Sequence, residues 1–133
     1  MKRMLLIFSH SLTPEQKEEG EKNLSVKEFV SLPNDLQSLW SQISPEGEID
    51  KKAAFFIEWI KSHAEKGDFA LIQGEFGMTF ALVDWCLREG IVPVYSTTKR
   101  VYEQTEEDGK IVNRHVFRHV RFREYKRLKG EIL

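Results

Sequence analysis

The sequence has a single cysteine and no apolar run long enough to cross a membrane. Cys86 lies in an apolar stretch with helical spacing, so one chain can form neither a disulfide nor a cysteine metal cluster. No His, Asp and Glu spacing is typical of a metal site, and no Walker-type phosphate loop occurs. A membrane span needs roughly 20 apolar residues, and no small-residue cleavage site follows Phe8. We therefore expect no metal, no other cofactor, no membrane partner and a cytoplasmic location.

The charge is distributed unevenly along the chain. The 133 residues are 41% hydrophobic and 31% charged, which is typical of a soluble globular protein, and we expect one domain over 1–133. Residues 1–98 hold 10 Lys and Arg against 15 Asp and Glu, whereas residues 99–133 hold 10 against 6. A basic region confined to residues 99–133 favours a small anionic ligand over a nucleic acid duplex, because duplex binding usually requires a basic face across the whole domain.

Residues 68–100 contain the pattern strand, glycine turn, helix and strand. Phe69 to Ile72 is a short apolar run between two glycines, as in a buried strand. A helix is predicted to follow and to end at Gly90, with an apolar stripe formed by Phe76, Phe80, Val83 and Leu87. Ile91 to Tyr95 predicts the next strand. This βαβ pattern indicates two parallel strands.

The flanking segments add further strands and helices. Thr13 is a predicted N-cap, because Pro14 follows it and Gln16 closes a capping box. Two other strands and two other helices are predicted: strands at Arg3–Phe8 and Val26–Leu32, and helices after Pro33 and from an Asp50 cap to about Lys66. The tryptophans Trp40, Trp59 and Trp85 lie on the apolar stripes of the predicted helices and are assigned to the core or to an interface.

A β-hairpin is predicted at the C-terminal end. Val101–Thr105 and Lys110–Arg123 flank an Asp108-Gly109 step, which is a strong hairpin signal. By alternation, one face of the second strand carries Val112, Val116, Val120 and Phe122, and the other carries His115, Phe117, His119, Arg121 and Arg123. The second face is half basic. It is solvated surface on an edge strand, or it borders a ligand or a dimer interface.

Two polar clusters follow the strands of the βαβ unit. Gln73–Gly77 follows the first strand, and Ser96–Arg100 follows the second. Ligands collect at the carboxyl ends of parallel strands, and hydroxyls with cations suit phosphate oxygens. We therefore predict an anion-binding edge. The alternative is that the glycines only make a turn and a cap, while Lys99 and Arg100 are solvated charges.

Five segments, in order along nearly the whole chain, resemble the CRISPR-associated Csx family numbered twenty. These segments are Ser9–Thr13, Leu32-Pro33 with Leu36–Trp40, Gln73–Gly77, Pro93–Arg100 and Phe117–Tyr125. The resemblance implies an α/β, Rossmann-like (CARF-like) three-layer fold, with a mainly parallel central sheet and a C-terminal antiparallel β-hairpin. It also implies a ring nuclease, which linearises a cyclic oligoadenylate and so switches off type III CRISPR signalling.

The resemblance further implies a metal-independent reaction. A ribose 2′-hydroxyl attacks its own 3′-phosphate, leaving a 2′,3′-cyclic phosphate and a free 5′-hydroxyl, so the protein mainly aligns groups and stabilises charge. Lys99 and Arg100 are expected to hold the phosphate, Ser9 or Ser11 to align the sugar, and His10 to accept the 2′-hydroxyl proton. The expected ligand-binding residues are Ser11, Gln73, Gly74, Glu75, Phe76, Gly77, Ser96, Thr97, Thr98, His119, Arg121 and Arg123.

Some alternatives stay open at this level. Glu75 either accepts from a ribose hydroxyl or caps the helix without touching a ligand. A ring of identical nucleotides, such as cyclic tetra-adenylate, is itself symmetric, so a homodimer is predicted. The competing functions are a non-catalytic sensor or sponge for the ring, and a protein-interaction subunit that binds no ligand.

Overall fold

A computed structural model of the chain describes residues 1–130. Five strands form one sheet in the order β2-β1-β3-β4-β5. The elements are β1 Lys2–Ile7, α1 Pro14–Asn23, β2 Val26–Ser31, α2 Asn34–Ser41, α3 Asp50–His63, β3 Phe69–Ile72, α4 Phe76–Glu89, β4 Val92–Glu107 and β5 Lys110–Glu124. Strands β1 to β4 pair in parallel, and β4 pairs antiparallel with β5. The predicted α/β class, parallel sheet and C-terminal hairpin are confirmed.

The sheet separates two apolar clusters, because alternate residues of a strand face opposite sides. In β1, Leu5 and Ile7 face the cluster built with α2, α3 and α4, which also contains Trp40 and Phe56. Met4 and Leu6 face the other cluster, which lies on the side of α1. One face of the sheet is thus covered by three helices, whereas α1 is the helix that covers the other.

Several predicted boundaries and caps are confirmed. Strand β3 has the predicted bounds. The capping box between Thr13 and Gln16 forms at the start of α1, and Gly90 ends α4 in the left-handed region at φ 78°. Within residues 1–130, no helix is long and apolar enough to span a membrane.

The predicted cap of α3 is wrong. Ile49 is the N-cap of α3, no side chain caps that end, and Asp50 is already the first helical residue. The helix ends at His63, three residues before the predicted end at Lys66. Between α3 and β3, the buried Asp68 carboxylate accepts hydrogen bonds from the backbone N–H groups of Arg3 and Glu65, at 3.1 and 2.9 Å. These bonds fix the connection between the helix and the strand.

The predicted apolar stripe of α4 is confirmed at Val83 and Leu87, which pack against the core, and is wrong at its first two members. Phe76 and Phe80 are 93% and 75% exposed. The buried side chains of this helix are Met78, Leu82, Val83 and Cys86. Apolar residues lie almost all round α4, so more than one face of the helix has apolar residues at helical spacing. Packing against the sheet decides which of these faces is buried.

Strand β4 is much longer than predicted, which is the largest difference between the predicted and the observed elements. The predicted strand ends at Tyr95, whereas β4 continues through Ser96–Arg100 to Glu107. The antiparallel partner β5 follows β4 along its whole length. Asp108 and Gly109 have φ of 49° and 77°, as a two-residue hairpin turn of the I′ type requires. The sheet therefore extends beyond its parallel part as a two-stranded arm, residues 98–120.

Candidate functional site

Gln73 joins three elements at the carboxyl edge of the parallel strands. Its backbone N–H donates to the carbonyl of Ile7 at 3.0 Å, and its own carbonyl accepts from Trp40 Nε1 at 2.9 Å. Its side-chain Oε1 accepts the backbone N–H of Ser96 at 2.6 Å. The end of β3 is thus tied to β1, α2 and β4, and the amide oxygen of Gln73 is already engaged, which leaves Nε2 for a ligand.

Gly74 is required by packing. A Cβ added at Gly74 would lie 2.6 Å from Trp40 Nε1, which is far inside the van der Waals distance. In the predicted ligand-binding role of Gly74, a glycine would let the backbone approach a phosphate. The structure gives a different reason, because the buried indole of Trp40 covers this turn.

The residues after Gly74 begin α4. Glu75 is the N-cap, and its carboxylate accepts the backbone N–H of Met78 at 2.7 Å, so the capping role is the one observed. Gly77 lies in the first turn, where an added Cβ would lie 3.3 Å from Glu75 Oε1 and Ile49 Cδ1. Phe76 points into solvent.

The loop after β1 lines a cavity of about 360 Å³, here called the β1-loop cavity. Its polar lining consists of Ser9, His10, Ser11, Ser31 and Gln37. Ser9 Oγ accepts from Ser41 Oγ at 3.2 Å, which links the loop to α2. The three predicted residues of this loop therefore lie together. The exposed ring of His10 lies edge-on to Phe8, with the two centroids 6.3 Å apart.

A hydrogen-bonded chain of Ser96, His119 and Glu19 lies between β4, β5 and α1. Ser96 Oγ is 2.6 Å from His119 Nδ1, and His119 Nε2 is 2.8 Å from Glu19 Oε1. The side chains of His119 and Glu19 are only 4% and 12% exposed. The same Glu19 oxygen accepts the backbone N–H of Phe122 at 2.6 Å. These contacts hold the imidazole in one orientation, with Ser96 at one nitrogen and a carboxylate at the other.

A β-bulge places His119 in this chain. Thr97 pairs with Arg121 and Thr98 pairs with His119, so Val120 is an extra residue in β5. Simple alternation had placed His119 on the basic face with Arg121 and Arg123, and that prediction is wrong. The bulge shifts the alternation, so His119 packs against the ring of Phe122, with centroids 4.6 Å apart.

Ser96 and His119 open onto a cavity of about 290 Å³, here called the α1-hairpin cavity. It is lined by Thr13, Pro14, Glu15, Gln16, Ser96, Thr98, Phe117, Arg118 and His119. Arg118 is held by Glu103 and by Glu15, the latter with Nη1 2.9 Å from Oε1. The hydrogen bond that Arg118 donates to Glu103, together with the negative charges of Glu103 and Glu15, raises the pKa of Arg118. Along the chain this cavity begins at Thr13, directly after Leu12 of the β1-loop cavity.

The two cations predicted to bind phosphate project from opposite faces of β4. Lys99 lies three residues beyond Ser96, about 10 Å along an extended strand. Lys99 pairs with Arg118, and Arg100 pairs with Phe117. Strand alternation puts Arg100 on the face that carries Ser96 and Lys99 on the other. Both side chains are exposed, and they lie on the arm rather than in a loop at the sheet edge.

Two other predicted residues, Arg121 and Arg123, line a third cavity of about 450 Å³. Its other lining residues are Tyr95, Glu124, Tyr125 and Lys126. The Tyr125 hydroxyl donates to the carbonyl of Ile72 at 2.7 Å, and burial, with the nearby Tyr95, raises the pKa of Tyr125. Thr97, also predicted, accepts the backbone N–H of Arg121 at 3.2 Å and donates its hydroxyl to the Arg121 carbonyl at 2.8 Å.

Glu19 was not predicted as a site residue. It lies in the charged sequence of α1, and 100 residues separate it from His119. Helical spacing assigns such a residue to solvent, and no local pattern signals its contact with β5. Across residues 1–130, no group of three His, Cys, Asp or Glu side chains is arranged to hold a metal ion.

The fold and the site define an α/β protein whose polar carboxyl edge carries a buried Ser–His–Glu chain. Residues 2–123 match the model of the family described as Uncharacterized protein MJ1673 family, and the chain belongs to this family. It is similar to the Uncharacterized protein MJ1673 of Methanocaldococcus jannaschii, with 44% identity over 126 residues. That alignment covers 94% of this chain and 98% of the relative. No solved structure matches the chain.

Proposed function

We propose that the protein is a ring nuclease that binds a cyclic oligoadenylate, such as cyclic tetra-adenylate, and linearises it. In this proposal the fold is Rossmann-like of the CARF kind, and the enzyme acts in the cytoplasm to end type III CRISPR signalling. The resemblance to the Csx family numbered twenty suggests this substrate. The supporting observation is that the β1 loop, Gln73 and Ser96 converge on one edge of the parallel sheet.

The strand order supports a ligand at this edge. The order β2-β1-β3-β4 changes direction between β1 and β3, and ligands of open α/β sheets bind at such a switch point. The loop after β1 supplies Ser9, His10 and Ser11, and the turn after β3 supplies Gln73. The linings of the β1-loop cavity and the α1-hairpin cavity meet at the consecutive residues Leu12 and Thr13, and in this proposal one ring of nucleotides contacts both.

The cations of the C-terminal third supply charge for the phosphates. Arg121 and Arg123 line one cavity, and Arg100 lies on the same strand face as Ser96. Arg100 is therefore better placed than Lys99 to meet a phosphate held near Ser96. The nucleophile is the substrate's own 2′-hydroxyl, so the protein contributes alignment and charge stabilisation.

The proposed assembly is a homodimer. A cyclic oligoadenylate has rotational symmetry, and an isologous dimer would surround it with two identical sets of edge residues. Size-exclusion chromatography with light scattering is expected to give twice the mass of 15.6 kDa, at the latest after addition of the ring. A monomer under both conditions would contradict this assembly.

The deciding experiment is incubation of the purified protein with radiolabelled cyclic tetra-adenylate in EDTA. We expect linear products that end in a 2′,3′-cyclic phosphate. Arg100→Ala is expected to reduce turnover at least tenfold, whereas Lys99→Ala, with its side chain on the opposite face, serves as the matched control and changes turnover less. Tight binding of an intact ring would instead indicate a sensor or sponge. No binding and no thermal shift would indicate a protein-interaction subunit.

A further inference from the structure

We propose that Ser96 is a catalytic hydroxyl, activated by His119, and that Glu19 positions and polarises His119. The inference names the proton acceptor for the proposed ring nuclease, and it rests on that function only for the identity of the substrate. A hydroxyl, an imidazole and a carboxylate in hydrogen-bond contact form the arrangement that activates serine in many hydrolases. Here the two distances are 2.6 and 2.8 Å.

The hydrogen-bond partners assign the direction of proton transfer. An ionised carboxylate only accepts hydrogen bonds, and Glu19 Oε1 accepts from the backbone of Phe122 and from His119 Nε2. In the neutral imidazole the proton is therefore on Nε2, and Nδ1 accepts from the Ser96 hydroxyl. When Ser96 gives up its proton to Nδ1, the resulting imidazolium faces the Glu19 carboxylate directly.

The position of the hydrogen-bonded Ser96, His119 and Glu19 side chains determines which of them can contact a substrate. Both ring nitrogens of His119 are occupied, and Glu19 is almost fully buried. Ser96 lines the α1-hairpin cavity, beside Thr98 and Arg118. Ser96 is therefore the group that contacts the substrate, and His119 and Glu19 act through it. His10, exposed at the β1 loop, has no comparable carboxylate contact among the described residues.

The proposed occupant of the cavity is a ribose with its neighbouring phosphate. The hydroxyl groups of the cavity are those of Thr13, Ser96 and Thr98, its cation Arg118 is ion-paired with Glu15 and Glu103, and the exposed ring of Phe117 offers a surface for a base. The substrate class is thus a phosphodiester with a free neighbouring 2′-hydroxyl.

The proposed step balances in protons and bonds. The 2′-hydroxyl proton moves to Ser96 Oγ while the Ser96 proton moves to His119 Nδ1. The 2′-oxygen forms a bond to phosphorus, and the bond between phosphorus and the 5′-oxygen breaks. The departing 5′-oxygen takes a proton from water on the opposite side of the phosphorus. The proton on His119 then returns to solvent through Ser96, which resets the chain.

The first test uses a fluorophosphonate probe, which reports activation of the serine without assuming a natural substrate. We expect labelling at Ser96, located by mass spectrometry, and a decrease of about 100-fold or more in Ser96→Ala, His119→Gln and Glu19→Gln. Ser62→Ala, at an exposed serine of α3 that lines neither cavity, is the matched control and should label like the wild type. Absence of labelling at Ser96, or labelling that does not depend on His119 and Glu19, overturns the inference.

The second test measures cleavage of cyclic tetra-adenylate. Glu19→Gln keeps an oxygen for the Phe122 N–H, so the fold should persist, which circular dichroism and thermal unfolding check. We expect kcat to fall about 100-fold while KM stays within about twofold. An equal change in Glu19→Gln and in the control variant Ser62→Ala, or a change confined to KM, contradicts the positioning role.

The two tests separate this inference from the proposed function. Labelling of Ser96 without ring cleavage by the wild type refutes the ring nuclease and supports an activated serine that acts on another phosphoester. Ring cleavage that is unchanged in Ser96→Ala, with no labelling, supports the ring nuclease and overturns the role of Ser96.

Discussion

The parallel body and the β4–β5 arm, residues 98–120, are built in different ways. In the body, β1 and β3 are buried on both faces, and their side chains belong to two apolar clusters. In the arm nearly every side chain is exposed, and Val101, Val112 and Val116 are only half-buried. Cross-strand pairs hold the arm instead, such as Tyr102 with His115, whose ring centroids are 5.1 Å apart.

The difference indicates where stability and ligand chemistry reside. Burial of apolar area is the main source of folding free energy, and it is concentrated in the body. The arm supplies an exposed cation, Arg100, and an exposed aromatic ring, Phe117. The Ser96–His119–Glu19 chain lies where the arm leaves the body, so its geometry is fixed by the core while its cavity faces the charged arm.

Truncation of one phenylalanine in each region gives the largest expected contrast. Phe56 is fully buried against Trp40, with ring centroids 5.1 Å apart, whereas Phe117 is 70% exposed. Phe56→Ala should lower the free energy of unfolding by about 3–5 kcal/mol, and Phe117→Ala by less than about 0.5 kcal/mol. Urea unfolding followed by circular dichroism measures both. Similar losses in the two variants would show that the arm is part of the core.

The sequence predicted the body better than the arm, for a physical reason. Local signals are sufficient for β3 and for the capping box at Thr13, because those features depend on residues next to each other. Thr98–Arg100 is polar because the arm is solvated on both faces, and solvated strands and loops have similar compositions. Antiparallel pairing with β5 makes this segment a strand rather than a loop, and the sequence of the segment itself does not indicate that pairing.

The candidate site was predicted only in part for a related reason. The loop residues Ser9, His10 and Ser11 follow directly from the end of a strand, and they do lie together. The contact between Glu19 and His119 depends on the bulge at Val120 and on a helix 100 residues earlier. Neither the bulge nor the long-range contact has a local signature, so period-two alternation assigned His119 to the wrong face.

A second contrast concerns two glycines at the edge of the body. Gly74→Ala places a methyl group 2.6 Å from the Trp40 indole, and overpacking of this kind costs about 1–3 kcal/mol. Gly77→Ala adds its methyl group in the first turn of α4, 3.3 Å from a flexible carboxylate and a methyl group. Because alanine favours a helix over glycine, Gly77→Ala should be neutral or stabilising by up to about 1 kcal/mol.

Thermal unfolding of the two glycine variants checks this contrast. If the losses are equal, Trp40 is free to move and does not fix the turn after β3. Binding of the labelled ring by Gly77→Ala then shows separately whether backbone at this turn needs to approach a phosphate.

The smallest expected effect comes from the one thiol. Burial in α4 raises the pKa of Cys86 from 9.0 to about 12. A raised pKa means that the folded state holds the proton more tightly, so its contribution to stability is complete below pH 9 and is lost as the pH rises toward 12. At pH 10 the thiol of the unfolded chain is mostly ionised, and the free energy of unfolding should be lower by about 1.4 kcal/mol than at pH 8.

Cys86→Ala isolates this term, because lysines and tyrosines titrate equally in both proteins. Between pH 8 and pH 10, the wild type should therefore lose about 1.4 kcal/mol of unfolding free energy relative to Cys86→Ala.

Thr105→Cys places a second thiol on the exposed arm as the matched comparison. At pH 8 a disulfide reagent should modify the arm thiol at once and leave Cys86 unmodified until the protein unfolds. Rapid modification of Cys86 in the native protein would show that α4 opens as readily as the arm.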